Sequence, residues 1–302
     1  MSVAIILVLA MLLDAVMGEP RWLWSRFSHP AVLMGRAVGF LDRRLNATQG
    51  GIVAGIAALL LLMFGAALIG WALSLLGGGV QIVIVAILLA QRSLVQHVTL
   101  VADGLRVSLG DGRCAVSMIV SRDTAAMDQS AVARSAIESG AENLSDGVIA
   151  PAFWFLVAGL PGLMVYKIVN TADSMIGYRT PQYERFGKAA AYMDDAMNLV
   201  PARLTCILIA VPARVIATLQ EIAKDAAQHR SPNAGWPEAA MARAIGVALA
   251  GPRAYDGKMQ KFPWVGGAGA RIIGPKEIDA SVRMLWQAWG IMLGLTILLA
   301  LI

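Results

Sequence analysis

Four groups of polar residues in this chain have the types and spacing to do chemistry. The first follows Ser121-Arg122-Asp123-Thr124. A helix starting at Asp128 or Ser130 and running to about Asp146 would set Arg134, Glu138, Glu142 and Asp146 at successive i+4 positions, with Asn143 beside them. Neighbouring carboxylates on one narrow face repel. That face is either a solvated stripe with one Arg–Glu pair or a row that holds a divalent cation or an ammonium group. The second group is Tyr166, Lys167, Asn170, Asp173, Ser174 and Tyr178, of which Lys167, Asn170 and Ser174 share a helix face. A headgroup-level ring of snorkelling side chains accounts for Lys167 and Tyr178 but poorly for Asn170 and Asp173.

The third group is Asp194, Asp195 and Asn198, followed by Arg203. Its i+3 and i+4 spacings bring oxygen ligands to one helix edge, and Mg²⁺ favours a few carboxylate oxygens together with substrate phosphates. Acidic helix ends without a metal are equally ordinary. The fourth is the stretch from Arg230 to Glu238, where two prolines and a glycine fix a turning loop. Ser231 and Asn233 could contact a ligand there, or the loop could simply connect. His29, before Pro30, is read more simply as structural than as a catalyst.

Other chemistries find no support. The chain has no GxxxxGK[ST] or GxGxxG phosphate cradle and no HExxH pair, and Gly110-Asp111-Gly112 reads as a turn. Cys114 and Cys206 form neither a disulfide framework nor a metal-ligand spacing. The basic residues are scattered and not interleaved with aromatics, which argues against nucleic acid.

The elements that must position these groups belong in a bilayer. Of 302 residues 58% are hydrophobic and 15% charged, with a mean hydropathy of +0.65, whereas a soluble domain averages about 25% charged. Val3 to Met17 reads as a retained first span, lacking the basic lead of a secretory signal. Ile52 to Leu76 is the clearest membrane helix, broken at Gly77-Gly78-Gly79 and followed by a second arm, Val80 to Ala90. Basic residues flank this hairpin on both sides (Arg36, Arg43 and Arg44 before; Arg92, Arg106 and Arg113 after), so both flanks are expected in the cytoplasm and the N-terminus outside. Val148 to Val169, interrupted by Gly159-Leu160-Pro161-Gly162, reads as a re-entrant hairpin, and Leu199 to Leu219 as an interface helix. The last span runs from about Trp286 to Ile302. The expectation is one all-α polytopic membrane domain over 1–302. It has about four to five transmembrane or re-entrant helical segments, cytoplasmic polar segments at 92–147 and 220–285, no sheet, and polar clusters meeting in one cavity. The net charge of +5 suits anionic headgroups and an anionic substrate.

These strings, in this order, resemble the CobD/CbiB family, adenosylcobinamide-phosphate synthase of cobalamin biosynthesis. The resemblance is carried by Asp14…Gly18-Glu19-Pro20-Arg21, His29-Pro30-Ala31-Val32-Leu33-Met34-Gly35, Ser121-Arg122-Asp123-Thr124 and Glu138…Ala141-Glu142-Asn143-Leu144-Ser145-Asp146-Gly147. It continues with Tyr166-Lys167…Asn170-Thr171-Ala172-Asp173-Ser174, Asp194-Asp195…Asn198…Pro201-Ala202-Arg203 and Ser231-Pro232-Asn233-Ala234-Gly235-Trp236. Ser121 and Leu144-Ser145 depart slightly from the family's usual residues, and Gly251 to Gly274 matches loosely.

The resemblance implies an ATP- and Mg²⁺-dependent ligase in the cell inner membrane, with its polar site facing the cytoplasm. It would join the carboxylate of a corrinoid, adenosylcobyric acid, to the amine of aminopropanol phosphate or threonine phosphate, through an acyl phosphate. Other corrinoid-assembly membrane enzymes are implied as partners. The expected catalytic set is Glu138, Glu142, Asn143, Lys167, Asn170 and Asp173, with Glu138 or Glu142 taking the amine proton. Asp194, Asp195 and Asn198 are the expected metal ligands. Substrate contacts are expected from His29, Arg122, Asp123, Arg134, Asp146, Ser174, Tyr178, Arg203, Ser231 and Asn233, and from Trp154 in an apolar lip of Phe153, Trp154, Phe155 and Leu156. A transporter of a corrinoid or anionic small molecule, or a non-catalytic scaffold, is the alternative class.

Overall fold

The computed structural model describes residues 1–47, 50–255, 258–260 and 262–302. The polar segment 220–285 therefore includes positions 256, 257 and 261, which lie outside the described residues. In chain order the helices are α1 (Val3–Met17), α2 (Arg21–Trp24), α3 (Pro30–Leu45), α4 (Ile52–Ser74), α5 (Gly78–Leu88), α6 (Gln91–Val107) and α7 (Leu109–Ser117). They continue as α8 (Gln129–Leu144), α9 (Ala150–Ile176), α10 (Lys188–Ala210), α11 (Leu219–Ala226), α12 (Gly235–Ile245) and α13 (Pro275–Leu301). Among the described residues four helical stretches are long and apolar enough to cross a membrane: Ile52–Ser74, Gly78–Val107, Gln129–Ile176 and Pro275–Leu301. The chain is thus a multi-pass membrane protein, with α1 as a shorter apolar helix of 15 residues.

The chain forms two compact units. The first comprises Met1–Ala90, Ala150–Asn198 and Leu295–Ile302. Its centre is the packing of α4 on α9. A lipid-soluble helix has no solvent to flee, so close approach depends on small residues. On α4 the buried set is Gly55, Ala58, Leu59, Leu62, Ala66 and Gly70, while Leu60, Leu61, Phe64 and Leu68 face outward. A Cβ on Gly70 would come within 2.8 Å of Pro161 Cα. α9 is broken where the sequence suggests, at Ala158 and Gly159, the latter at φ 62° and ψ −157°. That conformation is essentially restricted to glycine. At the end of α3, Asn46 donates to Asp42 (2.9 Å) and the Tyr183 hydroxyl to the other Asp42 oxygen (3.2 Å), which ties down the loop before α10.

The second unit comprises Gln91–Ile149 and Leu199–Gly294. α6 and α7 form a tight pair around Gly104, where a Cβ would lie 2.9 Å from Asp111 O. α8 is buried almost all round, from Val132 and Ala133 to Ala141 and Leu144. Asp128 caps it by accepting from Ala131 N (2.7 Å), while Ser130 bonds reciprocally with Ile273. A π-helical turn, Ser145–Ile149, follows. The chain is all but wholly helical, as expected, and the extended pairing described is confined to two short antiparallel pairs: β1 (Leu249–Ala250) with β4 (Trp264–Val265), and β2 (Arg253–Tyr255) with β3 (Lys258–Gln260). Strands of two or three residues are too short to show an alternating pattern.

Candidate functional site

Glu138, in the second unit, has both carboxylate oxygens engaged. It sits midway along α8, only 3% exposed. Its Oε2 accepts from Arg122 Nη2 at 2.8 Å and its Oε1 from Ala250 N at 2.7 Å. Leaving such a carboxylate unpaired would be far more expensive than burying it with a guanidinium and a backbone N–H. Ala250 has a positive φ of 57° and is followed by Gly251 at φ 73°. The carboxylate therefore holds a corner that an alanine adopts at some cost.

A cavity of about 210 Å³ opens beside this pair, lined by Arg122, Asp123, Asp128, Arg134, Ser135 and Glu138 among others. Arg134 is held in place by its bond to Arg271 O (3.1 Å) and by the Trp264 ring, over which the Arg134 and Arg271 guanidiniums lie at 5.3 and 4.7 Å. Asp123 is exposed at the mouth and accepts from Ala125 N (2.9 Å). The i+4 stripe is thus not a solvated face at Glu138. Glu142 and Asn143 are exposed and do not line this cavity. Asn143 donates back to Ser139 O (2.9 Å), and Asp146 falls within the π turn, which shifts it out of i+4 register.

The fourth cluster, also in the second unit, is a bonded loop. His229 Nδ1 accepts from Ser231 N (3.1 Å), Ser231 Oγ accepts from Asn233 N (3.2 Å) and Ala234 N (3.3 Å), and Arg203 donates to Asn233 Oδ1 (2.8 Å). The Arg203 guanidinium lies over the Trp236 ring at 4.8 Å, and burial lowers its pKa. His229 Nε2 stands 3.6 Å from the buried Glu238.

In the first unit, Tyr166 is fully buried and donates to Asn198 Oδ1 (3.0 Å). Asn198 Nδ2 donates to Asp194 Oδ2 (3.1 Å), and Asn170 Nδ2 to Asp194 Oδ1 (3.2 Å). The second and third sequence groups thus meet. Burial raises the pKa of Asp194 despite these two donors, and burial likewise raises that of half-buried Asp195 against the pull of Arg179. A Cβ on Gly177 would collide with the Asp173 carboxylate. Ser174 and Tyr178 are exposed.

His29 caps α3 through Nδ1 (3.2 Å to Ala31 N) and packs edge-on to Trp24 at 4.5 Å. Burial lowers its pKa, with Lys167 adding to the shift and Glu19 opposing it. Trp154 is half-buried and donates to Met197 O (3.1 Å), but Phe155 is fully buried. Phe155 is core and no part of an exposed lip.

Asp194, Asp195 and Asn198 do not form a cation cage. The Asn198 oxygen is taken by Tyr166, its amide faces Asp194, and consecutive helical positions aim Asp194 and Asp195 in different directions. Among the described residues no three His, Cys, Asp or Glu side chains gather as a metal site. A larger groove of about 570 Å³ in the first unit is lined by apolar residues such as Leu33, Met34, Leu62 and Met164, and offers no chemistry. Sequence reasoning missed the Arg122–Glu138 pair, Ala250 N and the His229–Glu238 contact. The one usable signal was Glu138 itself, an acid inside an alanine-rich helix.

Fold and site together define a multi-pass helical membrane protein with buried, internally bonded polar clusters. The family described as CobD/Cbib protein matches residues 7–285. The chain is 48% identical to the cobalamin biosynthesis protein CobD of Rhizobium meliloti (strain 1021), covering 96% of this chain and 95% of the relative. It is 44% identical to that of Brucella suis (99% and 97% covered) and 42% identical to that of Rhodobacter capsulatus (100% and 98%). No solved structure gives a significant match. This chain belongs to the CobD/CbiB family.

Proposed function

We propose that this protein acts in cobalamin biosynthesis as the ligase that forms an amide between adenosylcobyric acid and aminopropanol phosphate or threonine phosphate, in the inner membrane with its polar groups toward the cytoplasm. The observation that supports this best is the extent of the family match, which spans all four polar clusters. ATP, as its Mg²⁺ complex, supplies activation of a carboxylate that would otherwise resist an amine. The residues of this chain bind and orient. Arg122, Arg134 and Arg203 present guanidiniums held by carboxylate, carbonyl or amide oxygens, the pre-organised form in which such groups recognise phosphates. Half-buried Trp154 and Phe153 offer aromatic surface to the corrin ring. The Asp194 carboxylate is taken by the amides of Asn170 and Asn198 and serves to hold α9 against α10.

Expression in a bacterium lacking its own family member tests this reading. The wild-type chain should restore growth that depends on converting adenosylcobyric acid to cobalamin, and Arg122→Ala should not. Failure of a correctly inserted wild-type chain to restore growth would refute it.

A further inference from the structure

Tyr166, Asn198, Asp194 and Asn170 form a chain of hydrogen bonds whose direction is set by chemistry. An ionised carboxylate only accepts, so both amides that meet Asp194 must present their NH2 groups. Asn198 Nδ2 does so to Oδ2 at 3.1 Å, and Asn170 Nδ2 to Oδ1 at 3.2 Å. One end of the chain is anchored in the core. The fully buried Tyr166 hydroxyl donates to Asn198 Oδ1 (3.0 Å), so the Asn198 amide is held from both sides. Asn170 differs. It is half-buried, and among the described residues nothing donates to its Oδ1. With its NH2 held by Asp194, the planar amide keeps that oxygen turned away from the carboxylate. Asn170 also lies on the helix face that carries Lys167 and Ser174.

We infer that Asp194 is a positioning residue, which locks the Asn170 amide so that its carbonyl oxygen faces the site as an acceptor for a ligand N–H. Holding α9 against α10 does not by itself require an acid. An amide at position 194 would also bridge the two helices, but it would not impose this polarity. Its oxygen would be claimed by Asn198, which Tyr166 prevents from turning, and its NH2 would then face Asn170. Asn170 would have to give up the bond or turn over, and in either case its oxygen would no longer be held outward. An acceptor fixed before the ligand arrives needs no reorganisation during the reaction. That the acceptor serves turnover rests on the ligase reading; the lock itself does not.

Nuclear magnetic resonance of the full chain in nanodiscs, isotope-labelled only at asparagine side-chain amides, reads the lock directly. The chain has five asparagines, so five amides are seen, and Asn170→Ala identifies one of them. The Asn170 amide protons should exchange with solvent slowly in the wild type and at least tenfold faster in Asp194→Asn, with no change at Asn198. Turnover per folded molecule should fall about tenfold in Asp194→Asn, the ratio that corresponds to about 1.4 kcal/mol. Adding Asn170→Asp to that variant should recover most of the loss. The carboxylate then stands at position 170, accepts from the amide at 194 and offers its other oxygen outward. Unchanged Asn170 exchange in Asp194→Asn would overturn the lock. Wild-type turnover in folded Asp194→Asn, or a folded double variant as slow as the single one, would overturn the positioning role. Exchange as expected in a wild-type chain that forms no amide product would leave the lock standing and remove the ligase reading.

Discussion

At the scale of single residues, the site is held by acids whose oxygens are already engaged. Glu138 shows this most plainly. Removing it with Glu138→Ala strands the Arg122 guanidinium, 14% exposed, and the Ala250 N–H. A loss of about 3 kcal/mol is expected, since breaking a buried pair leaves an uncompensated charge. Thermal unfolding in detergent should show a clear drop in midpoint, and an unchanged midpoint would mean that the pair carries no stability. Asp194 behaves differently. Its pKa is raised in the folded state, so its contribution to stability is fully present below the unfolded carboxyl value and is lost as pH rises through the higher folded value. Asp194→Asn forfeits one of two amide bonds, about 1 kcal/mol, but never carries a buried charge. Relative to wild type the variant should therefore gain stability as pH is raised from about 4 to 7. A constant difference across that range would contradict the assignment of a raised pKa.

At the scale of elements, much could be read directly. The run from Ile52 reads as a membrane helix, Asp128 or Ser130 as a cap, of which the structure uses Asp128, and Gly159 as a break, because each depends on neighbours close in sequence. Asn170 fitted a headgroup ring poorly and Asp194 and Asn198 fell on one helix edge, and the three do share a network. What local pattern could not give was pairing across distance. Arg122 reaches Glu138, sixteen positions further along the chain and inside α8, and the Trp264 stack joins β4 to α8. The burial of α8 on every side also hid which of its acids meets solvent, and the π turn displaced Asp146 from an i+4 pattern that assumes a regular helix. Two glycines of α4 separate packing from propensity. Gly70→Ala forces a Cβ against the Pro161 backbone, whereas a Cβ at Gly65 meets nothing within 4 Å. The first substitution should lower the unfolding midpoint and the yield of monodisperse protein, and the second should leave both unchanged. Equal effects would show that the α4–α9 contact is not close.

At the scale of the whole molecule, the expected topology can be read with the native thiols. Cys114 is exposed on α7, while Cys206 is buried with its thiol pushed up to about 11, so it reacts poorly. A membrane-impermeant maleimide should leave Cys114 unlabelled in intact cells and label it in inverted vesicles, because the basic flank around Arg106 and Arg113 favours the cytoplasm. Labelling from outside intact cells would contradict that orientation.

The proposed activity itself is tested most directly by turnover of the purified protein. Wild-type chain in nanodiscs, given adenosylcobyric acid, aminopropanol phosphate and Mg-ATP, should yield the amide, with ATP consumed in equal amount, as read by mass spectrometry of the corrinoid. Folded, membrane-inserted Arg122→Ala protein should form little or none of the amide. Protein that is folded, binds corrinoid and forms no amide under these conditions would contradict the account.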